Sequence, residues 1–140
     1  MRAMLRWVLF SLWTVFILYT MEVFTPSEST VVGAISQWFV KMDLPESTPA
    51  KLYHWWVFFV WSLLLGGALA RGYWRKLPAR KLGTCVCSLI AFGALTEGLQ
   101  HCNPARTPAL LDFALNLFGG ALGLCFRFAA CRLTQVKSQK

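Results

Sequence analysis

The chain has 140 residues, of which 56% are hydrophobic and 14% are charged. Soluble domains carry roughly 25% charged residues, so this composition excludes an ordinary soluble domain and favours a multi-pass membrane protein with one domain, residues 1–140. The net charge of +8 does not predict a nucleic-acid partner, because the basic residues flank hydrophobic runs instead of forming one basic surface.

The first predicted transmembrane helix covers about residues 4–24. Arg2 and Arg6 precede its apolar run as in a signal peptide. The residues from Thr20 to Phe24 are too bulky for the small-residue cleavage site that a signal peptide requires. We therefore expect a retained helix.

The polar segment that follows, residues 25–50, contains a short stretch with helical spacing of apolar residues: Val31, Ala34, Ile35, Trp38, Phe39 and Met42. This stretch is too short to span a membrane. It predicts a short interfacial helix in the first outer loop, with a short helix packed inside the protein as the alternative.

Three further apolar runs predict spans at about residues 52–70, 82–102 and 109–131, which gives an all-α membrane protein with four transmembrane helices. The N-terminal end, the 71–81 loop and the C-terminal end together hold 11 of the 14 Lys and Arg residues. Because positive residues stay on the cytoplasmic side, both termini are expected there, in an N-in/C-in topology.

The five cysteines do not predict a metal site. They are Cys85, Cys87, Cys102, Cys125 and Cys131. They contain no Cys-x-x-Cys pair and have no matching His or Cys pair at zinc-ligand spacing. We interpret them as small apolar residues in helices and expect neither a metal nor a cofactor.

Polar side chains collect at the ends of the last three spans that this topology places outside: Lys51, His54, Glu97, Gln100, Arg106, Asp112 and Asn116. Polar groups at such depths are costly, so their clustering predicts a functional site. Asp112, Asn116, Gly119 and Gly123 form a stripe about 60° wide on a helix. The Gly-x-x-x-Gly spacing allows close approach of another helix, either within the protein or in a dimer.

These blocks resemble the VanZ-like family. The resemblance rests on Lys51-Leu52-Tyr53-His54, Glu97-Gly98-Leu99-Gln100, Pro104-Ala105-Arg106 and the Asp112-x-x-x-Asn116 that leads into the glycines, and it covers about residues 5–127. Ala105 replaces a frequent Gly of that pattern, Ala50 an Asp and Phe58 a Tyr. The resemblance implies a protein of the bacterial cytoplasmic membrane that is loosely linked to glycopeptide (teicoplanin) resistance and the cell envelope, with no settled activity.

Lys51, His54 and Arg106 supply the positive groups that a phosphate requires. We therefore expect an outward-facing pocket that binds an anionic, phosphate-bearing envelope lipid, such as a polyprenyl phosphate or a cell-wall precursor, in lipid transport or glycopeptide resistance. Glu97 and Asp112 would orient the cations. Asn116 would form hydrogen bonds across helices, with Gln100 as the candidate partner.

Two other hypotheses remain open. A membrane hydrolase or transferase would use His54 as nucleophile or acid/base. The sequence shows no Ser-His-Asp order and no nucleophile elbow, which favours a protein that is not an enzyme. A structural subunit of an envelope complex would use the polar network for folding only, with a second copy or an envelope protein as its partner.

Overall fold

The computed structural model describes residues 2–22, 48–70, 77–102 and 110–137. These residues form four helices: α1 Arg2–Glu22, α2 Thr48–Leu69, α3 Ala79–Cys102 and α4 Leu110–Lys137. Each helix is long and apolar enough to cross a membrane. The prediction of an all-α protein with four helices of membrane-spanning length is confirmed, and the short helix predicted near residues 31–42 lies outside the described residues.

Helix α1 packs antiparallel to α2 through aromatic and hydroxyl side chains. The indole Nε1 of Trp13 donates to the carbonyl oxygen of Val57 at 3.1 Å, and the indole Nε1 of Trp61 donates to Thr14 Oγ1 at 3.1 Å. Near the C-terminal end of α1, the hydroxyls of Thr20 and Tyr53 share a hydrogen bond. Tyr53 lies near the N-terminal end of α2, so these two helix ends lie side by side.

Most described side chains of α1 point away from the bundle. Ile17 is the one α1 side chain that is fully buried among those described, whereas Leu5, Leu12 and Val15 are more than half exposed. Large apolar side chains exposed over the whole length of a helix are unfavourable in water and favourable in hydrocarbon. Their distribution therefore agrees with a helix that faces lipid.

Helices α2 and α4 run parallel and touch through backbone. A Cβ atom on Gly119 would overlap the carbonyl oxygen of Trp55, and a Cβ atom on Gly123 would overlap the carbonyl oxygen of Phe59. The residue numbers rise by four on both helices from the first contact to the second, so the two helices run in the same direction. The glycine stripe is thus used for packing inside one chain.

An aromatic core fills the middle of the bundle. The rings of Trp61 on α2 and Phe92 on α3 stack with centroids 4.9 Å apart, and the ring of Phe58 lies 5.5 Å from that of Phe92. Phe58 is fully buried and lies one helical turn from His54. This aromatic cluster therefore lies next to the polar end of the bundle, on the side toward the middle.

The opposite end of the bundle holds basic side chains against the C-terminus of α2. Lys81 Nζ donates to the carbonyl oxygen of Leu69 at 2.5 Å, and the side chain of Arg127 is only 3% exposed. A Cβ atom on Gly66 would lie 2.8 Å from Cδ of Arg127, so the glycine leaves room for the arginine. Cations near a helix C-terminus interact favourably with its unpaired carbonyl groups.

Replacing Gly119 by Ala should destabilise the protein strongly. The added Cβ atom meets the Trp55 backbone, which cannot rotate away as a side chain would, so α2 and α4 must separate. We expect a loss of about 1–3 kcal/mol in the free energy of unfolding, measured by thermal or denaturant unfolding in detergent. Gly98→Ala is the matched control, because a Cβ atom there has no neighbour within 4 Å. Equal stability of the two variants would contradict the observed helix contact.

Candidate functional site

Three helices bring polar side chains to one end of the bundle. His54 lies near the start of α2, Glu97 and Gln100 lie near the end of α3, and Asp112 and Asn116 lie near the start of α4. Since α2 and α4 run parallel and α3 runs against them, these positions reach the same level. The parallel direction of α2 and α4 follows from the Gly119 and Gly123 contacts described above. The antiparallel direction of α3 and α4 follows from two further contacts, because a Cβ atom on Gly93 would meet Phe113 whereas one on Gly120 would meet Leu89.

Four of these side chains form a continuous chain of polar contacts. Nδ1 of His54 lies 3.1 Å from Oδ1 of Asn116, in a fully buried hydrogen bond. Nδ2 of Asn116 donates to Oε1 of Glu97 at 3.4 Å. Nε2 of His54 lies 3.9 Å from Oδ2 of Asp112, which is an ion-pair distance and too long for a hydrogen bond.

Asn116 is the centre of this chain. Its side chain is completely buried, yet an amide carries both a donor and an acceptor that must be satisfied away from water. Its oxygen is paired with His54 on α2, and its NH2 group is paired with Glu97 on α3, whereas Asn116 itself belongs to α4. One side chain therefore connects three helices, and its position on the glycine stripe explains why it points inward.

Gln100 does not form the expected contact with Asn116. Its side chain is only 2% exposed, and its Nε2 has no hydrogen-bond partner among the described residues. Gln100 lies three residues after Glu97 and so belongs to the same face of α3. The Nε2 of Gln100 is thus a buried hydrogen-bond donor next to the polar contacts of His54, Asn116 and Glu97, and no described residue accepts from it.

The two basic residues predicted to accompany His54 at the site are Lys51 and Arg106. Lys51 is half-buried, one turn before His54 on α2, and forms no hydrogen bond or ion pair within the described part of the chain. Arg106 lies outside the described residues. The structure therefore brings together His54, Glu97, Asp112 and Asn116, with Lys51 and Gln100 at the same end.

Arg127 is one of the basic residues of the C-terminal end in the charge count that predicts the topology, and the structure buries it. The helical periodicity carries a signal for this burial, because Arg127 follows Gly123 by four residues and so continues the inward stripe.

The chemistry available at the polar end is that of two carboxylates, an imidazole and two amides. Within the described ranges, no three His, Cys, Asp or Glu side chains lie close enough together to hold a metal ion. None of the five cysteines, all of which lie in the described ranges, forms a disulfide. The arrangement is suited to hydrogen bonding, ion pairing and proton exchange.

The chain matches no protein-family model, no curated protein and no solved structure. The resemblance to the VanZ-like family thus rests on the motif residues alone.

Replacing Asn116 by Leu should destabilise the bundle without changing the volume of the side chain greatly. It removes the hydrogen bonds to His54 and Glu97, and these groups lose partners in a buried environment. We expect a loss of about 1–3 kcal/mol in the free energy of unfolding in detergent.

The matched control is Thr96→Val. Thr96 is also fully buried, but its hydroxyl donates to the carbonyl oxygen of Gly93 in its own helix at 2.9 Å. Loss of this local bond should cost much less than loss of a bridge between three helices. A Thr96→Val protein as unstable as Asn116→Leu would contradict the role of Asn116 as a bridge.

Proposed function

We propose that the polar end of the bundle binds the anionic head group of a phosphate-bearing envelope lipid. The observation that carries this proposal is the buried Gln100 amide, whose Nε2 donor has no partner among the described residues. An unsatisfied buried donor costs about 1–3 kcal/mol, so it is retained mainly where it serves a purpose. A phosphate or pyrophosphate oxygen is an acceptor of the required kind.

Positive charge supports the same ligand. Lys51 lies in the first turns of α2, and the parallel α2 and α4 both begin at this end, where unpaired backbone N–H groups attract anions. Arg106, in the segment between α3 and α4, would add a guanidinium fork for two phosphate oxygens. His54 would complete the set, and Glu97 and Asp112 would limit the excess charge of the empty site.

The proposed setting is the bacterial cytoplasmic membrane, with the site on the outer side. The four helices of membrane-spanning length support membrane insertion. The concentration of Lys and Arg at both termini and in the 71–81 loop supports the N-in/C-in orientation. The resemblance to the VanZ-like family supports a role in lipid transport or glycopeptide resistance, with a polyprenyl phosphate or a lipid-linked cell-wall precursor as ligand.

An enzymatic function is a second candidate. The observation that favours it is His54, which is held on one ring nitrogen by Asn116 and faces the Asp112 carboxylate with the other. Such an imidazole can exchange protons with a substrate. Release of phosphate by the purified protein, lost in His54→Gln while lipid is still retained, would favour hydrolysis or transfer over binding.

The lipids retained after gentle purification test the binding proposal. We expect mass spectrometry to find an anionic phosphate-bearing lipid with the unmodified protein and to find it reduced at least tenfold in Arg106→Ala and Lys51→Ala, since about 1.4 kcal/mol of lost binding corresponds to a factor of ten.

Arg80→Ala is the matched control for the lipid measurement. It removes the same charge from an exposed side chain at the opposite end of the bundle and should retain the lipid. Identical lipids in all four proteins would reject the binding proposal. If none of the four proteins retains a phosphate-bearing lipid, and alanine changes at Glu97, Arg106 or Asp112 destabilise the protein in detergent, a purely structural network becomes the better interpretation.

Cys102 provides a test of the proposed orientation. It is exposed at the C-terminal end of α3, at the level of the polar site. Cys85 and Cys131 are buried, and the exposed Cys87 and Cys125 lie farther toward the opposite end of α3 and α4. We expect a membrane-impermeant maleimide to label intact cells at this residue and the labelling to disappear in Cys102→Ser. Labelling that requires permeabilised cells would reverse the orientation.

A further inference from the structure

The orientation of the Asn116 amide sets the direction of its two hydrogen bonds. Its NH2 group faces Glu97, since Nδ2 donates to Oε1 of Glu97 at 3.4 Å. The amide oxygen then faces His54. Since that oxygen only accepts, Nδ1 of His54 must carry a hydrogen and donate it across the 3.1 Å contact.

The second nitrogen of His54 then determines the charge of the ring. In a neutral imidazole with its hydrogen on Nδ1, the nitrogen Nε2 carries a lone pair and no hydrogen. This lone pair would face Oδ2 of Asp112 at 3.9 Å, and two electron-rich atoms repel each other. A proton on Nε2 converts the repulsion into attraction between an imidazolium and a carboxylate.

Three helices place charged or titratable side chains at the same end of the bundle as His54. Lys51 belongs to the same helix, Glu97 belongs to α3 and Asp112 belongs to α4. The ring of Tyr53 on α2 lies edge-on to that of His54 with centroids 6.5 Å apart. The described side chains at the corresponding end of α1 are Tyr19 and Thr20, which bring hydroxyl groups. Lys51 disfavours a cation on His54, and the two carboxylates favour it.

We propose that His54 and Asp112 form a binding site for one proton, in which Asn116 keeps a permanent hydrogen on Nδ1 and the exchangeable proton sits on Nε2 facing Asp112. The proton-loaded pair is an imidazolium with a carboxylate. When the proton leaves, the ring stays in the Nδ1–H form and the contact with Asp112 becomes repulsive. The proposal concerns a proton only, so it holds or fails separately from lipid binding.

Nitrogen NMR of the histidine rings tests the proposal in the full-length protein in lipid nanodiscs. The chain contains two histidines, and the exposed His101 near the end of α3 is the internal reference. His101→Gln leaves one ring and assigns the signals. For His54 we expect Nδ1 to remain protonated over the whole titration, while Nε2 gains and loses a proton. A neutral ring with its hydrogen on Nε2 would overturn the proposal.

Asp112→Asn measures the contribution of the carboxylate. Removing the negative charge should move the titration midpoint of His54 to lower pH by about one unit or more, because an opposite charge within 4–6 Å shifts such equilibria by roughly 1–3 units. Arg80→Ala is the control, because it removes one charge from an exposed side chain at the opposite end of the bundle and should leave the midpoint unchanged.

An unchanged midpoint in Asp112→Asn would overturn the role of Asp112. If this variant does not fold, the tautomer of His54 in the unmodified protein still decides the proposal, because that measurement needs no substitution at the site.

Discussion

The backbone contact between α2 and α4 is the constraint on which the polar end depends. At Gly119 and Gly123 the two helices approach so closely that no side chain fits between them, and the register of the contact is set by the carbonyl groups of Trp55 and Phe59. His54 immediately precedes Trp55, and Asn116 lies one turn before Gly119. The glycine contact therefore determines that these two polar side chains meet at hydrogen-bonding distance.

The hydrogen bonds of Asn116 then extend this order to α3. A fully buried amide has to find partners for both of its ends, and Asn116 finds them on different helices. This requirement selects one relative rotation of the three helices, because a turned helix would leave the amide unsatisfied. The aromatic core around Trp61 and Phe92 supplies attraction without comparable directionality.

Much of the fold could be predicted because its signals are local. Long apolar runs predict four helices, and the spacing of Asp112, Asn116, Gly119 and Gly123 predicts the inward face of α4. The partner of Asn116 could not be predicted, because Glu97 and Gln100 share one face of α3 and a small axial shift decides which of them it reaches. The burial of Arg127 could not be predicted from α4 alone, because the room for its side chain is left by Gly66 on another helix.

The burial of Arg127 also determines how far apart charged side chains lie along the inside of the bundle. Along α4, Asp112 and Arg127 are separated by roughly 22 Å at a rise of 1.5 Å per residue. The hydrocarbon core of a bilayer is about 30 Å thick. Exposed apolar side chains such as Phe118, Leu122 and Phe126 cover the same stretch on the outside. The distance between these two charged side chains is consequently shorter than the hydrocarbon core that a bilayer around the bundle would present.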